Sequence, residues 1–263
     1  MQSPENFLPF LARLAEASSE VILKHFRAPL DVDDKGSREG RGFDPVTEAD
    51  RGAEAVMREL IRKTYPEHGI VGEEFGTEGE GRSHQWVLDP IDGTRAFICG
   101  LPLWGSLIGL MIDGKPVCGM LSQPYLGERF FGTANGAFFE RGGERRPLRV
   151  RACGSLGEAM VSSTDPDLFV GEEAAAFRRL SGAARLTRYG YDCYAYAMVA
   201  AGFIDCVAES GLKAYDIVPL VPIIEGAGGA VISWDGSGPA LGGRVLAIGD
   251  ARLKGPAVEL LQV

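Results

Sequence analysis

Asp89-Pro90-Ile91-Asp92-Gly93-Thr94, directly behind the run Gln85-Trp86-Val87-Leu88, decides the reading of this chain. An apolar run that ends in two nearby carboxylates, with a proline and a glycine forcing a turn, can bring both onto one hard cation. The Ile91 carbonyl can point the same way. Gly93 and Thr94 offer backbone N–H groups and a hydroxyl to an anion. One hexapeptide can therefore hold a metal and grip a phosphate, which points to phosphate-ester chemistry.

Working outward, the short apolar stretch Gly69-Ile70-Val71 reads as a strand that ends in Glu73-Glu74, a second acidic strand end upstream of Asp89. Before it, Thr47 followed by Asp50 fits a capping box, with Ala53, Met57, Leu60 and Ile61 as a helical stripe that stops near Tyr65-Pro66. Phe7, Phe10, Leu11, Leu14, Val21 and Ile22 mark an earlier helix, with Asn6 as its cap and an end near Arg27-Ala28-Pro29. Residues 31–42 are charged and aperiodic and read as a mobile loop. Downstream, strands are expected at 106–112, 117–121 and 129–133, with turns at Asp113-Gly114 and Asn135-Gly136.

Residues 1–150 thus read as helices packed on an antiparallel sheet that carries most of the acidic groups. Residues 151–263 read as a smaller α/β half, with short strands at 160–161, 186–187 and 204–208 and helices at 172–180, at 194–201 and after Asp216. No linker would let the halves tumble apart, so the expectation is one compact unit of layered α/β (α+β) class with a site between its halves.

The chain has 263 residues, 45% of them hydrophobic, enough for a full core, and a net charge of −9. That charge argues against nucleic acid or an anionic membrane as the main partner. Five dispersed cysteines without a Cys-x-x-Cys pair indicate reduced core thiols rather than disulfides or zinc. With no signal-like start and no long apolar run, a cytoplasmic location is expected. His25, His68 and His84 lack metal-ligand spacing and read as structural or exposed.

Each acidic candidate has a plain alternative. Glu73-Glu74 could be a solvated loop, Asp50 simply the far member of its capping box, and Asp216 a helix N-cap, with Pro222 kinking the helix behind it. What favours a site is the set: Asp50, Glu73, Asp89, Asp92 and Asp216 all fall at the start or end of expected elements, where a cleft is lined.

Four ordered motifs, Asp44-Pro-Val-Thr-Glu-Ala-Asp50, Gly72-Glu73-Glu74, Asp89-Pro-Ile-Asp-Gly-Thr94 and Tyr215-Asp216 with Gly226-Ala-Gly-Gly229, resemble the inositol monophosphatase family of magnesium-dependent phosphatases. The resemblance covers nearly the whole chain and implies a layered α-β-α-β-α sandwich. It implies magnesium ligands Glu73, Asp89, Asp92, Asp216 and the Ile91 carbonyl for two or three Mg2+ ions. It also implies phosphate binding at Gly93 and Thr94, and a Thr94–Asp50 pair that, with Glu73, orients and deprotonates the attacking water. Members often carry a lysine before the Asp44 motif; here the candidate is Lys35, beyond a longer loop. The family is commonly dimeric, and Phe138-Phe139 could belong either to a homodimer surface or to the core.

Where inositol-cleaving members place small neutral residues, this chain has Asp192, and motif spacing puts Asp192 and Glu209 at the leaving-group positions. Two carboxylates suit a cation, although a helix cap at Asp192 and a surface acid at Glu209 remain open. The segments Arg95-Ala-Phe-Ile-Cys-Gly-Leu-Pro-Leu-Trp-Gly105, Thr187-Arg-Tyr-Gly-Tyr-Asp-Cys-Tyr-Ala-Tyr196 and Gly211-Leu-Lys-Ala-Tyr-Asp-Ile217 look like the histidinol-phosphatase branch. The resemblance implies a small phosphorylated substrate with a cationic leaving group, histidinol phosphate, in histidine biosynthesis. Inositol or sugar phosphates are the alternative, and an interaction or RNA-associated module with incidental phosphatase activity is the alternative of a different class. Trp104 could wall an imidazole but reads more simply as core.

Overall fold

The computed structural model describes residues 3–29, 31–34 and 45–263. Among the described residues, fifteen strands form three sheets. β1 (Val32–Asp34) and β2 (Pro45–Thr47) make a small antiparallel pair, so part of the expected 31–42 loop is strand. Lys35 and Asp44 lie outside the described residues.

The large sheet is built from β3 (Gly69–Gly72), β4 (Gly76–Glu78), β5 (His84–Asp92), β6 (Gly105–Ile112), β7 (Lys115–Gln123), β8 (Glu128–Thr133), β9 (Gly136–Arg141) and β10 (Glu144–Pro147). Its order is β10-β9-β8-β7-β6-β5-β3-β4. All its pairings are antiparallel except β3 with β5, where Gly69 faces Gln85 and Gly72 faces Leu88. The expectation of a purely antiparallel sheet is corrected at that one point. The helix between β2 and β3 covers one face of the sheet, and the chain re-enters beside β5 in the same direction. The second sheet holds β11 (Met160–Ser163), β12 (Leu186–Tyr189), β13 (Cys206–Leu212), β14 (Ala230–Ser233) and β15 (Gly243–Ile248), in the order β12-β11-β13-β15-β14.

Helices fill three layers. α1 (Leu8–Ile22) and α2 (Glu48–Thr64) pack on the outer face of the large sheet through Leu11, Leu14, Met57 and Ile61 against Trp86, Ile108 and Leu110. Pro4–Phe7 is a 3-10 turn, and Asn6 lies inside it rather than capping α1. The α-helix stops at Ile22, short of the expected end. α3 (Thr94–Ile98) follows the acidic turn. α4 (Glu172–Ala183) and α8 (Lys254–Leu261) cover the outer face of the second sheet through Phe177, Leu180 and Leu261. Between the sheets lie α5 (Asp192–Ala200), α6 (Ala214–Ile217) and α7 (Val221–Gly226), in a core joining Leu107, Leu121 and Phe130 to Val207, Val231 and Val245. The layers run α-β-α-β-α.

A glycine line sets how closely the middle layer sits on the large sheet. Gly109, Gly119 and Gly132 are register neighbours on β6, β7 and β8. A Cβ at Gly119 would overlap the Pro219 carbonyl, and one at Gly132 the Pro222 carbonyl. The backbone following Asp216 therefore rests directly on the sheet. Pro222 does not kink a continuous helix. It stands in the first turn of α7, where no N–H is needed, and α6 ends at Ile217.

Candidate active site

The parallel pair β3 and β5 delivers the acids. Parallel neighbours end on the same edge, so Glu73, just past β3, arrives beside Asp89 near the end of β5, and the Glu73 N–H donates to Leu88 O at 3.2 Å. β5 then turns: Asp89 Oδ1 accepts from the Ile91 N–H at 3.0 Å, and Thr94 Oγ1 donates to the Ile91 carbonyl at 3.0 Å. Gly93 has φ 89°. A Cβ there would also meet the Leu103 carbonyl at 3.0 Å and Asp192 Oδ2 at 3.1 Å, so the position requires glycine.

Asp216 comes from the other half of the chain. It is the third residue of its helical turn, accepting from the Lys213 N–H at 2.6 Å, and not the N-cap that was its plain alternative. One oxygen from each of Asp89, Asp92 and Asp216 lies within 4.8 Å of the others. An all-carboxylate set at that spacing fits a hard divalent cation such as magnesium. Its electrostatics fit too. Burial pushes the Asp89 carboxyl well above the usual range, and Glu73, Asp92 and Asp216 push it further. Asp92 is raised likewise, by burial and then by Asp192 and Asp216. Asp216 is pushed up to about 7, first by burial, then by Glu73 and Glu209 against the opposing Lys213 hydrogen bond. Groups that raise one another in this way are stabilised as anions by a shared cation.

Asp50 and Thr94 are each hydrogen-bonded within their own turns. The capping box forms as read: Asp50 Oδ2 accepts from the Thr47 N–H at 2.8 Å and from Thr47 Oγ1 at 2.5 Å. The Thr94 hydroxyl proton goes to Ile91. Each member of the expected pair is claimed by its own local turn. Burial, with the Glu74 charge adding to it, pushes Asp50 up to about 6 against the hydrogen bonds from Thr47.

Asp92 also joins the halves. Its Oδ1 accepts from the Cys193 N–H at 2.8 Å, so Asp92 satisfies an open amide in the first turn of α5. Asp192 is thus no cap. It is the first residue of that helix, its φ of 43° lies in the left-handed region, and its oxygen rests against Gly93. Burial, then the charge of Glu209, pushes it up to about 7; a Thr164 hydrogen bond and Arg95 pull the other way. Glu209, on β13, is only 7% exposed and is no surface acid. Its Oε1 accepts from the Thr164 N–H at 2.8 Å and from Thr164 Oγ1, and its Oε2 from the Tyr196 hydroxyl at 3.0 Å.

Several supporting residues escaped the sequence reading. Glu54 and Arg58, one helical turn apart beside the apolar stripe of α2, form a buried ion pair at 2.7 Å. The Glu54 carboxylate also accepts from the Glu74 N–H at 2.7 Å and the Phe75 N–H at 3.2 Å, clamping the turn that carries Glu73. A charged pair at helical spacing beside a buried stripe was the available signal. Thr164 and Tyr196 had none, because only the tertiary structure brings them to Glu209. Trp104 is core, packed on Phe26 and Phe97. Phe138 stacks on Phe131 and Phe139 tilts against Phe130, both half-buried, with Arg145 and Arg146 over their faces.

A layered sandwich with a carboxylate cluster at the ends of a parallel strand pair defines a hydrolase built to handle phosphate with divalent cations. The chain matches the inositol monophosphatase family over residues 3–262 and belongs to that family of phosphatases, in which magnesium dependence is general. It is 43% identical over 260 residues to the chloroplastic bifunctional phosphatase IMPL2 of Arabidopsis thaliana, covering 95% of this chain and 73% of that one. It is 34% identical over 246 residues to the histidinol-phosphatase of Mycobacterium tuberculosis, covering 89% and 90%. The structure of an inositol monophosphatase from Zymomonas mobilis superposes with a TM-score of 0.87 at 39% identity, covering 100% of both chains. Among the described residues no helix is long and apolar enough to cross a membrane.

Proposed function

We propose that the protein is a magnesium-dependent phosphomonoesterase that hydrolyses histidinol phosphate to histidinol and phosphate. The observation that carries the substrate choice is the carboxylate pair beside the phosphate turn: half-buried Asp192 against Gly93, with the buried Glu209 acting on it. An ammonium or imidazolium leaving group answers that charge, and a neutral polyol does not. Histidinol-phosphatases among the relatives support the same reading.

In this reading Glu73, Asp89, Asp92, Asp216 and the Ile91 carbonyl hold two or three Mg2+ ions. When bound, the metal lowers the pKa of water and neutralises the phosphoryl oxygens and the departing alkoxide. Gly93 and Thr94 hold the phosphate at the turn. Thr94 and Glu73 orient the attacking water, and Asp50, with its carboxyl raised toward neutrality, serves as the proton acceptor. Asp192 faces the leaving group and aligns it for in-line departure.

An inositol or sugar phosphate is the second reading, favoured by the likeness to the Zymomonas mobilis enzyme. A kinetic panel separates the two. Activity on both esters should vanish with chelator, and the specificity constant should be higher for histidinol phosphate than for inositol 1-phosphate; the reverse order removes the proposed substrate. Asp192→Ala should cut that constant for the cationic ester by at least about tenfold, consistent with loss of a buried charge contact, and spare the polyol ester.

A further inference from the structure

Glu209 is held by groups that the substrate reading does not use. It sits on β13 with three donors converging from two other elements: the N–H and hydroxyl of Thr164, just past β11, on Oε1, and the hydroxyl of Tyr196, on α5, on Oε2. Tyr196 is 2% exposed, packed in the core between the sheets. A phenol buried among apolar side chains needs a partner for its hydroxyl, and the partner here is a carboxylate one layer behind the leaving-group wall. Three hydrogen bonds to a carboxylate favour its ionised form and fix its plane. Burial pushes the Glu209 carboxyl up and these hydrogen bonds oppose it, so with both oxygens engaged inside the protein the charge that Glu209 presents to Asp192 depends on its donors.

We propose that Tyr196, with Thr164, is a positioning residue for substrate choice: it locks Glu209 behind Asp192, so that the leaving-group wall keeps its negative charge and prefers cationic esters. The proposal rests on the substrate reading above. Without the Tyr196 hydroxyl, the nearly buried Glu209 Oε2 loses its donor. The carboxyl then takes up a proton or turns away from its place. Either event weakens attraction for an ammonium or imidazolium and leaves a neutral polyol largely indifferent.

The test is the ratio of kcat/KM for histidinol phosphate to kcat/KM for inositol 1-phosphate, in wild type and variants with magnesium present. Tyr196→Phe keeps the ring and removes only the hydroxyl, and the ratio is expected to fall about tenfold, the scale of one hydrogen bond to a charged group. A purely structural role would lower both constants together and leave the ratio unchanged, which would overturn the proposal. Thr164→Val should lower the ratio in the same sense and carries the test if Tyr196→Phe does not fold, whereas Thr164→Ser, which keeps the donors, should hold it. A wild type that prefers the cationic ester, with Tyr196→Phe and Thr164→Val unaltered in that preference, overturns this inference alone. A wild type without the preference removes the substrate reading and this inference with it.

Discussion

The two ends of the parallel pair β3 and β5 apply one physical rule to opposite chemistries. At the starting end, His68 stacks on His84 with ring centroids 4.6 Å apart, Tyr65 stacks on the other side, and the Trp86 Nε1–H donates to His68 Nδ1 at 3.1 Å. Burial, then His84 and Arg82, push His68 down to about 4. At the finishing end, burial and mutual repulsion push Asp89, Asp92 and Asp216 up. Burial opposes charge in both places. His68 is held as a neutral imidazole at physiological pH and its Nδ1 is satisfied by Trp86, so it needs nothing from outside. The acidic end is a set of like charges that a cation relieves, so it is a site.

The strongest way to break this contrast is to remove a charge from the acidic end. Asp89→Asn should lower kcat/KM by about a thousandfold or more, through loss of cation-dependent transition-state stabilisation. The metal-free protein should nevertheless melt no lower than wild type, because a buried like charge has gone. A metal-free Asp89→Asn protein clearly less stable than wild type would show that the cluster is a structural network instead. Wild type should gain about 2.7 kcal/mol at magnesium a hundredfold above its dissociation constant, and Asp89→Asn much less.

The Glu54–Arg58 pair sharpens the comparison from the other side, because it is a buried carboxylate whose cation is part of the chain. Arg58→Ala leaves Glu54 unpaired in the core and should cost about 3–5 kcal/mol in denaturant unfolding, a loss that added magnesium does not reverse.

The smallest effect is a difference in pH slope. Asp216 is raised from the ordinary 3.8 to about 7 in the folded state. The folded protein then binds more protons than the unfolded chain across that window, and metal-free stability contributed by this group falls as pH rises through it. His68 is lowered from 6.5 to about 4, so the unfolded chain binds more protons there, and its contribution is lost as pH falls from 6.5 toward 4. Melting temperature against pH should therefore fall more steeply with rising pH in metal-free His68→Gln than in wild type. Saturating magnesium should flatten the acidic contribution. Parallel curves for the two proteins would mean that His68 does not titrate with folding.

The acidic turn 89–94 and the capping box at Thr47 and Asp50 were legible because each depends on local chemistry, Pro and Gly at a turn and Thr and Asp at capping spacing; single helices and strands followed from apolar stripes, and the layer order from the family resemblance. Bounds moved by a few residues where tertiary pairing extended a strand, as in β13, which runs to Leu212 rather than ending at Ala208. Long-range partners were not legible. Thr94 and Asp50, expected to act as a pair, are each bonded within their own turn. Asp192 could equally be a helix cap from sequence, but the first α5 turn takes its acceptor from Asp92, about a hundred residues earlier in the chain.

By itself the sequence determined an acidic turn at a strand end, since proline and glycine at fixed spacing set the turn and its carboxylates locally, and four ordered motifs that resemble a phosphatase family. Only the tertiary structure decided which acids meet. The parallel register of β3 and β5 sets Glu73 beside Asp89, the glycine line across β6, β7 and β8 seats the backbone next to Asp216, and the packing of α5 puts Tyr196 on Glu209. Those contacts span long sequence separations, and their energies come from burial and close packing between layers, which no local spacing encodes.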